Sequence, residues 1–257
     1  GEPKLFRPED SIHWQHVIGS DVAMALDDVP RYGVLKEEVK QSLERSHAWL
    51  ERNISAHQQR DDMINGQQML FGIAQGGVYE DLRADSAQRL LKAKVDGYAI
   101  GGLAIGEPPE TMFHAIEIQT KIFEQDAQKP RYVMGLGSPA HMLDAVALGV
   151  DMFDSIFPTQ NARRGSLFTS RGTIHIENAQ YRTDFEPIEQ ECGCYTCRHY
   201  TRAYVHALLR LKERMGLKLA TIHNVFFVQN LLKRARIAIT EKRLKSFISE
   251  FKSQFIQ

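Results

Sequence analysis

Residues 69–103 read MLFGIAQGGVYEDLRADSAQRLLKAKVDGYAIGGL and contain one complete strand–helix–strand pattern. Two short apolar runs, Met69–Gln75 and Gly97–Leu103, flank the amphipathic segment Glu80–Lys94, which begins with an acidic turn. Short apolar runs that end in glycine or a polar residue, with a helical period between them, are typical of parallel strands joined by a covering helix. The stretch therefore predicts an α/β fold.

The same alternation continues on both sides of this unit. Four more apolar runs are predicted strands: Asp21–Leu26, Arg131–Met134, Asp151–Ile156 and Leu219–His223. Four more amphipathic segments are predicted helices: Ile12–Gly19, Leu35–Ala56, Thr111–Glu124 and Pro139–Leu148. The pattern predicts about six βα units, with a doubly wound sheet as the alternative to a barrel.

The residues that follow the predicted strands favour a (β/α)8 TIM-barrel fold. Polar residues and glycines come directly at these strand ends: Asp27, Gln75, Gly101-Gly102, Gly135, Asp154 and His223-Asn224. Barrel enzymes carry their chemistry at the carboxyl ends of the strands. Because six units are too few to close such a barrel, we expect the first two units to be missing and the start at Gly1 to be cut from a longer protein.

The chain after residue 165 departs from the βα pattern. Ser166–Ile176 predicts a β-hairpin that turns at Ser170-Arg171-Gly172, and a polar stretch follows it to Cys192. Helices are predicted over Thr196–Met215 and Asn224–Ile239, with a last one from Glu241. We expect three domains: a barrel portion over 1–177, a zinc-binding subdomain over 178–223, and C-terminal helices over 224–257 that close the barrel.

Composition and charge narrow the class of protein. No run of eighteen apolar residues occurs, and the first residues form no hydrophobic signal region, so we expect a cytoplasmic protein without a membrane anchor. The net charge is zero, but residues 198–257 hold thirteen Lys and Arg against three Glu, a local charge of +10. This basic quarter indicates either a phosphate-binding surface or a set of helices with solvated basic faces.

All three cysteines, Cys192, Cys194 and Cys197, lie within six residues. An odd number at this spacing is a poor disulfide framework and indicates a metal site in a reducing compartment. With His223 they make three thiolates and one imidazole, which complete a tetrahedral Zn²⁺ and leave no position for water, so the zinc is predicted to be structural and a zinc hydrolase is excluded. His199 is an alternative fourth ligand, as is His206, but His223 would join segments that are distant in sequence.

Several motifs, in order, resemble the queuine-type tRNA-guanine transglycosylases. They are Phe71-Gly-Ile-Ala-Gln-Gly76, Gly97-Tyr-Ala-Ile-Gly-Gly-Leu103, Asp151-Met-Phe-Asp-Ser-Ile-Phe-Pro-Thr159, Asn161-Ala-Arg-Arg-Gly165, the cysteine array, and Arg202-Ala-Tyr204. The resemblance covers essentially all 257 residues. It implies a TIM-barrel enzyme that exchanges the wobble guanine of a tRNA anticodon for a 7-deazaguanine, in the queuosine pathway, by double displacement.

The resemblance also implies roles for single residues. Asp154 matches the nucleophile, whose carboxylate attacks the anomeric carbon of the ribose. Residues matched to the base pocket are Asp27, Gln75, Gly101, Gly102 and Met134. Their chemistry suits a guanine-like edge, because a carboxylate accepts from N–H groups, an amide both donates and accepts, and a backbone N–H donates to a carbonyl oxygen. Met134 has an equally good interpretation as an ordinary core residue of its strand.

Two stretches match the family's tRNA contacts. One runs from Gly135 to His141 and includes Gly135, Leu136, Gly137 and Ser138; the other comprises Thr159, Gln160, Asn161, Ala162 and Arg163. Gln160 departs from the family, which has arginine there, so one contact to phosphate or base is either lost or replaced by a neutral hydrogen bond.

A larger departure concerns catalysis. The family's Asp-Ser-Gly-Gly-Phe-Gln motif, which carries a second catalytic aspartate for proton transfer, does not occur in these 257 residues. We therefore expect this chain alone to be impaired, since general acid catalysis contributes about 10²–10⁴-fold in rate.

The incoming base and the assembly are less constrained. Ile105 favours a base with a small substituent, as in 7-aminomethyl-7-deazaguanine, whereas Val29 resembles the residue found in enzymes that use queuine.

The apolar stripe Tyr204, Leu208, Leu211 and Met215 predicts a homodimer or heterodimer through the helices beside the zinc site. Two alternatives to an active enzyme stay open: a non-catalytic tRNA-binding subunit of a heteromeric transglycosylase, and one half of a split enzyme.

Overall fold

A computed structural model describes residues 5–59 and 68–255 of the chain. These residues form two compact units, one made of Gly1–Gly135 and Leu148–Asp154, the other of Leu136–Ala147 and Ser155–Gln257. The first four residues and the last two, where the predicted outer domains begin and end, lie outside the described part. The three predicted domains stay a prediction.

The first unit is built on a parallel sheet of five strands that neighbour one another in chain order. The strands are β1 Val22–Met24, β2 Met69–Ala74, β3 Gly97–Ile100, β4 Arg131–Val133 and β5 Met152–Phe153. Its helices are α1 Pro8–Ile18, α2 Lys36–Gln58, α3 Glu80–Leu91 and α4 Pro109–Phe123, and a 3-10 turn, Glu124–Asp126, follows α4. Sequential parallel strands with intervening helices confirm the α/β prediction, and the order is that of a barrel wall.

Packing between β2 and α3 shows why the local sequence folds in this way. Five of the six residues of β2 are buried, as a strand covered on both faces requires. Gly72 lies in the middle of β2, where an added Cβ would stand 2.3 Å from Leu90 Cδ1 of α3. Glycine at this position therefore lets the Leu90 side chain of α3 pack directly on the strand.

The second unit is mostly helical. Its helices are α5 Pro139–Ala147, α6 Phe157–Arg163, α7 Tyr195–His199, α8 Arg202–Arg210, α9 Arg214–Thr240 and α10 Leu244–Gln254. The predicted hairpin is present as β6 Ser166–Thr169 and β7 Gly172–His175, paired antiparallel, and a 3-10 turn spans Ala179–Thr183.

Two apolar clusters hold this second unit together. One joins the hairpin and α6 to α8 and α9 through Ala162, Leu167, Ile176, Val205, Leu209, Leu219 and Ala220. The other joins α5, α9 and α10 through Leu143, Leu231, Ala235, Phe247, Phe251 and Phe255. Because α9 contributes to both clusters, it is the central element of the unit.

The predicted strand Leu219–His223 is wrong, since these residues lie inside α9. Leu219, Ala220, His223 and Asn224 are all buried, and their spacing of one, four and five positions follows a helical period. The described residues therefore contain five parallel strands, not six, and His223-Asn224 does not follow a strand.

Other boundaries also differ from the prediction. The single helix predicted over Thr196–Met215 is divided into α7, α8 and the start of α9, because Tyr200 is extended and Lys212 is left-handed with φ 58°. The short helix α6 was not predicted at all. No helix among the described residues is both long and apolar enough to span a bilayer.

Candidate active site

The carboxyl edge of the five-stranded sheet gathers polar residues from successive strands. Asp27 follows β1, Gln75 follows β2, Gly101-Gly102 follow β3, and Asp154 follows β5. Because parallel strands end at the same edge of a sheet, residues far apart in sequence meet there. Contacts between their side chains show which of them lie together.

Asp27 and Gln75 form a hydrogen-bonded pair. The Gln75 amide donates from Nε2 to Asp27 Oδ2. Burial raises the pKa of Asp27, and the hydrogen bond from Gln75 offsets part of that rise. The pair is therefore a partly desolvated carboxylate beside an amide, a combination that binds N–H groups of a ligand more strongly than it would in water.

The Gln75 side chain also lies against the two glycines after β3. An added Cβ on Gly101 would stand 2.6 Å from Gln75 Nε2, and one on Gly102 would stand 2.3 Å from Gln75 Oε1. Gly102 has φ +66°, a conformation that side chains disfavour. Gln75 Oε1 is buried and has no hydrogen-bond partner among the described residues, so it is an acceptor left open beside the glycines.

A second group of polar residues supports this edge from α3 and α4. Arg83 is fully buried and donates to the carbonyl oxygens of Gly77, Gly101 and Gly102. Gln119 of α4 donates to Gln75 O at 3.2 Å, and the Gln75 backbone N–H donates to Ser86 Oγ of α3 at 3.0 Å. The sequence prediction missed these three residues.

A sequence signal for this buried group did exist. Leu82, Arg83, Ser86, Ala87 and Leu90 are spaced as the apolar stripe of a helix, with two polar residues inside the stripe. Polar residues at such positions need buried partners, which the loops after β2 and β3 supply here.

Asp154 is held by one of its two oxygens. Tyr132 donates from its hydroxyl to Asp154 Oδ1 at 2.6 Å, and the Gly135 N–H donates to the same oxygen at 2.9 Å. Burial and this hydrogen bond raise the pKa of Tyr132 well above its usual range, so the phenol stays a donor at neutral pH. The other oxygen, Oδ2, accepts no hydrogen bond from the described residues and belongs to an exposed side chain. Asp154 is thus an oriented carboxylate with one oxygen open to a ligand.

Two further residues predicted at this edge follow β4. Met134 is half-buried and its N–H donates to Ile100 O of β3 at 3.3 Å. Gly135 is exposed with φ +80°, and an added Cβ there would meet nothing within 4 Å. The backbone of Gly135 is therefore used by Asp154, and its lack of a side chain leaves the surface beside that carboxylate open.

The remaining residues matched to tRNA contacts belong to the second unit. Leu136 and Gly137 are buried before α5, and an added Cβ on Gly137 would stand 2.4 Å from Ser155 Cβ. Thr159, Gln160, Asn161 and Arg163 lie on α6, where Arg163 is exposed. Ala162 is fully buried in the apolar cluster with the hairpin, so its side chain has no access to solvent.

The second unit also brings together Cys192, Cys194, Cys197 and His223. Their ligand atoms all lie within 4.8 Å of one another. His223 Nδ1 is 3.8, 3.6 and 3.3 Å from the Sγ atoms of Cys192, Cys194 and Cys197. In a tetrahedral zinc site with Zn–S of about 2.3 Å and Zn–N of about 2.0 Å, nitrogen and sulfur are about 3.5 Å apart. The four residues can therefore hold a metal ion.

Hydrogen bonds around the cluster fix the histidine ring. His223 Nε2 is 2.7 Å from Phe168 O of the hairpin, so Nε2 carries a proton, and Nδ1, which faces the three thiols, is the nitrogen that could bind a metal. The neighbouring Asn224 accepts from Phe168 N and donates to Ser166 O and Pro158 O, each at 3.0 Å. Neither of the alternative histidines joins the group, since His199 is not buried and His206 is hydrogen-bonded to Ile176 O.

The three thiols and the imidazole shift one another's pKa values. Hydrogen bonds with Cys192 and Cys197 lower the pKa of Cys194, and hydrogen bonds with Cys192 and Cys194 raise the pKa of Cys197. Burial is the largest influence on His223 and lowers its pKa, but hydrogen bonds with Cys192 and Cys194 outweigh it and raise the pKa to about 9. A bound cation would let all three thiols ionise beside a neutral imidazole.

Comparison with known proteins identifies the family of the chain. The family model described as "Queuine tRNA-ribosyltransferase" matches residues 1–257. The queuine tRNA-ribosyltransferase of Listeria innocua serovar 6a is 46% identical over 255 residues, which are 99% of this chain and 65% of that protein. The enzyme of the same name from Bacillus subtilis (strain 168) is 45% identical over 251 residues, 98% of this chain and 64% of that protein.

A third relative extends the comparison. The queuine tRNA-ribosyltransferase of Geobacillus kaustophilus (strain HTA426) is 44% identical over 251 residues, again 98% of this chain and 64% of that protein. The chain thus spans slightly less than two thirds of the length of these curated relatives. Since the family model matches the whole of it and these relatives are 44–46% identical to it, the chain belongs to the queuine tRNA-ribosyltransferase family.

Proposed function

We propose that the protein is a tRNA-guanine transglycosylase, which exchanges the wobble guanine of a tRNA anticodon for a 7-deazaguanine base in the queuosine pathway. The observation that carries the proposal is the Asp154 carboxylate, which is oriented through Oδ1 and has Oδ2 open to a ligand. It lies at the same sheet edge as the Asp27–Gln75 pair and Gly101-Gly102. A family match along the whole chain supports it.

In the proposed first step, Asp154 Oδ2 attacks the anomeric carbon of the ribose. The glycosidic C–N bond breaks, its electron pair stays on the departing base, and the aspartate becomes a neutral ester of the sugar. A carboxylate suits this step because the sugar carries positive charge in the transition state, as in retaining glycosidases. The incoming base then displaces Asp154 by the reverse reaction.

Base recognition is assigned to the residues beside that carboxylate. Asp27 accepts hydrogen bonds from N–H groups of the base, and the unpaired Gln75 Oε1 accepts from another N–H group of the base. The Gly102 N–H donates to the ring carbonyl oxygen. Met134, half-buried after β4, would contact a face of the base.

We propose 7-aminomethyl-7-deazaguanine, rather than queuine, as the incoming base. A cavity of about 160 Å³ borders Gly102, and Ile105, Tyr32 and Tyr79 form part of its wall. A branched side chain at position 105 narrows the space for a ring-sized substituent. Exchange rates of the two bases, compared in one assay, test this choice, and faster exchange with queuine would reverse it.

Zinc is proposed for the Cys3His site, where it would be structural. Four protein ligands leave no coordination position for water or substrate, so the metal would supply stability and no chemistry at the reacting atoms.

The proposed tRNA contacts are Gly135, Leu136, Gly137 and Ser138 and, on α6, Thr159, Gln160, Asn161, Ala162 and Arg163. Ala162 and Leu136 would contribute through their backbone, since their side chains are buried. Three reduced cysteines and a tRNA substrate support a cytoplasmic location.

Trapping of a covalent intermediate tests the catalytic proposal. Mixing the protein with cognate tRNA should give an RNA–protein adduct on a denaturing gel, because the aspartyl ester persists until a base displaces it. Asp154→Ala and Asp154→Asn should abolish the band, whereas Asp27→Ala should mainly raise the KM for the base. We expect a faint band from these 257 residues alone and a strong one when a segment carrying the Asp-Ser-Gly-Gly-Phe-Gln motif is supplied.

The same experiment decides between this proposal and a tRNA-binding subunit without catalysis. A protein that binds tRNA but forms no adduct and exchanges no labelled guanine, even with that segment present, is an accessory subunit.

We also propose that the protein forms a dimer through helices beside the metal site. Tyr204, Leu211 and Met215 are large side chains that are 46%, 72% and 49% exposed, which a partner would cover. Leu211→Asp should therefore convert a dimer to a monomer in light scattering at micromolar concentration. Leu35→Asp, at a leucine that is 78% exposed in the other unit, is the control and should leave the mass unchanged.

A further inference from the structure

Helix α3 carries an arginine on its buried face. The Arg83 side chain is 0% exposed and makes no ion pair with any described residue. Taking a cation out of water costs free energy that neutral acceptors return only in part. A buried cation that is kept without a carboxylate partner therefore points to a use other than stability.

The acceptors around Arg83 belong to the loops of the proposed base pocket. Nε donates to Gly77 O at 2.6 Å, Nη1 donates to Gly101 O at 2.8 Å, and Nη2 donates to Gly102 O at 3.2 Å. Nη1 also lies 3.3 Å from Gln119 Oε1, and Gln119 in turn donates to Gln75 O. One planar guanidinium thus joins the loop after β2 to the loop after β3.

The bond to Gly101 O has a particular consequence for the next residue. The Gly101 carbonyl and the Gly102 N–H are the two ends of one peptide group. A positive donor on the carbonyl polarises that peptide group and makes its N–H a stronger hydrogen-bond donor. The fork of Arg83 also holds the carbonyls on both sides of Gly102, so the N–H has a fixed direction.

We propose that Arg83 is a positioning residue, which orients and polarises the Gly101–Gly102 peptide so that the Gly102 N–H stabilises negative charge on the departing base. This inference rests on the function proposed above. As Asp154 bonds to the ribose and the C–N bond breaks, the negative charge of the carboxylate passes to the base and spreads onto its ring carbonyl oxygen. A donor at that oxygen is worth more in the transition state than in the ground state, so Arg83 affects kcat.

Substitution of Arg83 with a matched control tests the inference. Arg83→Lys keeps a charge but cannot reach both carbonyls, and Arg83→Met removes the charge. Arg131→Lys is the control, because Arg131 is also buried and donates to a carbonyl, Gly149 O at 3.2 Å, but lies at the amino end of β4, away from the site. Circular dichroism and thermal melting establish which variants fold. If Arg83→Met does not fold, the result for Arg83→Lys decides whether the inference holds.

The readouts are kcat and KM for guanine exchange, and the binding ratio of guanine to 2-aminopurine, which lacks the ring carbonyl oxygen. We expect Arg83→Lys to lower kcat by about 100-fold, with a smaller change in KM and a smaller preference for guanine over 2-aminopurine. We expect Arg131→Lys to change kcat and KM by less than about threefold.

A folded Arg83→Lys protein with the kcat of the wild type overturns the inference. An equal loss of affinity for guanine and 2-aminopurine also overturns it, because a merely structural defect would not distinguish the two bases. Failure of the wild-type protein to exchange guanine, with the segment that carries the Asp-Ser-Gly-Gly-Phe-Gln motif supplied, is a different result, which contradicts the proposed function itself.

Discussion

Single hydrogen bonds decide which oxygen of Asp154 stays open to a ligand. Tyr132 and the Gly135 N–H both donate to Oδ1, and Oδ2 receives no donor from the described residues. Two donors on one oxygen hold the carboxylate plane in place without consuming the lone pairs of the other oxygen. In the proposed reaction, orientation of this kind lowers the entropy that Asp154 must lose when it attacks the ribose.

Removal of the tyrosine hydroxyl measures this orientation. We expect Tyr132→Phe to lower kcat by about 10–100-fold, because a hydrogen bond to a charged group is worth about 1.5–3 kcal/mol. Tyr98→Phe is the matched control, since Tyr98 donates to Asp126 Oδ2 at 2.8 Å in another tyrosine–aspartate pair. Steady-state guanine exchange gives kcat for both variants, and equal losses in the two would mean that the effect is one of general stability.

The raised pKa of Asp27 makes a prediction about stability and pH. Burial favours the protonated acid in the folded protein, so between the unfolded and folded pKa values the folded state binds more protons. The contribution of Asp27 to stability therefore falls as pH rises through this window, which begins near the ordinary aspartate value of about 4. Above this pH window the loss of folding stability caused by ionising the buried Asp27 is fully present, and below the window it vanishes.

Asp27→Asn removes the titration while keeping the shape of the side chain. We expect the variant to gain stability relative to the wild type as pH rises from about 4 towards neutrality, and to lose affinity for the base. Urea unfolding across this pH range gives the difference in free energy. A stability difference that stays constant with pH would contradict the raised pKa.

At the scale of elements, α9 is tied to the hairpin β6–β7 by adjacent residues of one helical turn. His223 contacts Phe168 O, and Asn224 bonds Phe168 N and Ser166 O. On the other side of the ring, His223 Nδ1 faces the three cysteines, so the metal site joins the segment 192–197 to the same turn of α9. A metal bound there would therefore link the hairpin, the segment 192–197 and α9.

Metal removal should loosen this link. We expect one zinc per protein, with Cys192, Cys194, Cys197 and His223 at about 2.0–2.4 Å, and a fall in Tm of about 10 °C when a chelator removes it. His223→Ala should lose the zinc, whereas His199→Ala, a neighbour on α7, should keep it. Mass spectrometry of the metal content and calorimetry check both points, and an unchanged Tm after complete removal would show that the site is not structural.

For the molecule as a whole, charge is distributed unevenly although its sum is zero. Residues 198–257 carry +10, and many of their cations make no ion pair with a described residue, among them Lys233 and Arg236 of α9. Both of these side chains are exposed. A positive region that is not neutralised internally is available for phosphate.

The salt dependence of tRNA binding tests this region. We expect Lys233→Gln together with Arg236→Gln to weaken tRNA binding and to reduce the slope of log K against log salt by about 0.7 for each lost phosphate contact. Lys92→Gln with Lys94→Gln removes the same charge from exposed positions after α3 and is the control. Equal effects of the two double variants would mean that the region acts only through net charge.

Local sequence was sufficient for much of this protein. The spacing of apolar residues along the chain predicted the strands β1 to β5, the helices between them and the hairpin. Glycine and polar residues marked the strand ends. Both signals are properties of residues that are neighbours in sequence. The cysteine array likewise predicted a metal group, because spacing alone brings three thiols together. The motif around Asp154 identified the family for the same reason, since its residues are contiguous.

Only the tertiary structure decided the rest. Leu219–His223 was predicted as a strand because a short apolar run has no period of its own, and packing against both the hairpin and α8 makes it part of α9. Arg83 and Tyr132 find their hydrogen-bond partners in carbonyl and carboxylate groups that are distant in sequence. The partners of a buried polar side chain depend on which loops the fold brings to it, and no local pattern contains that information.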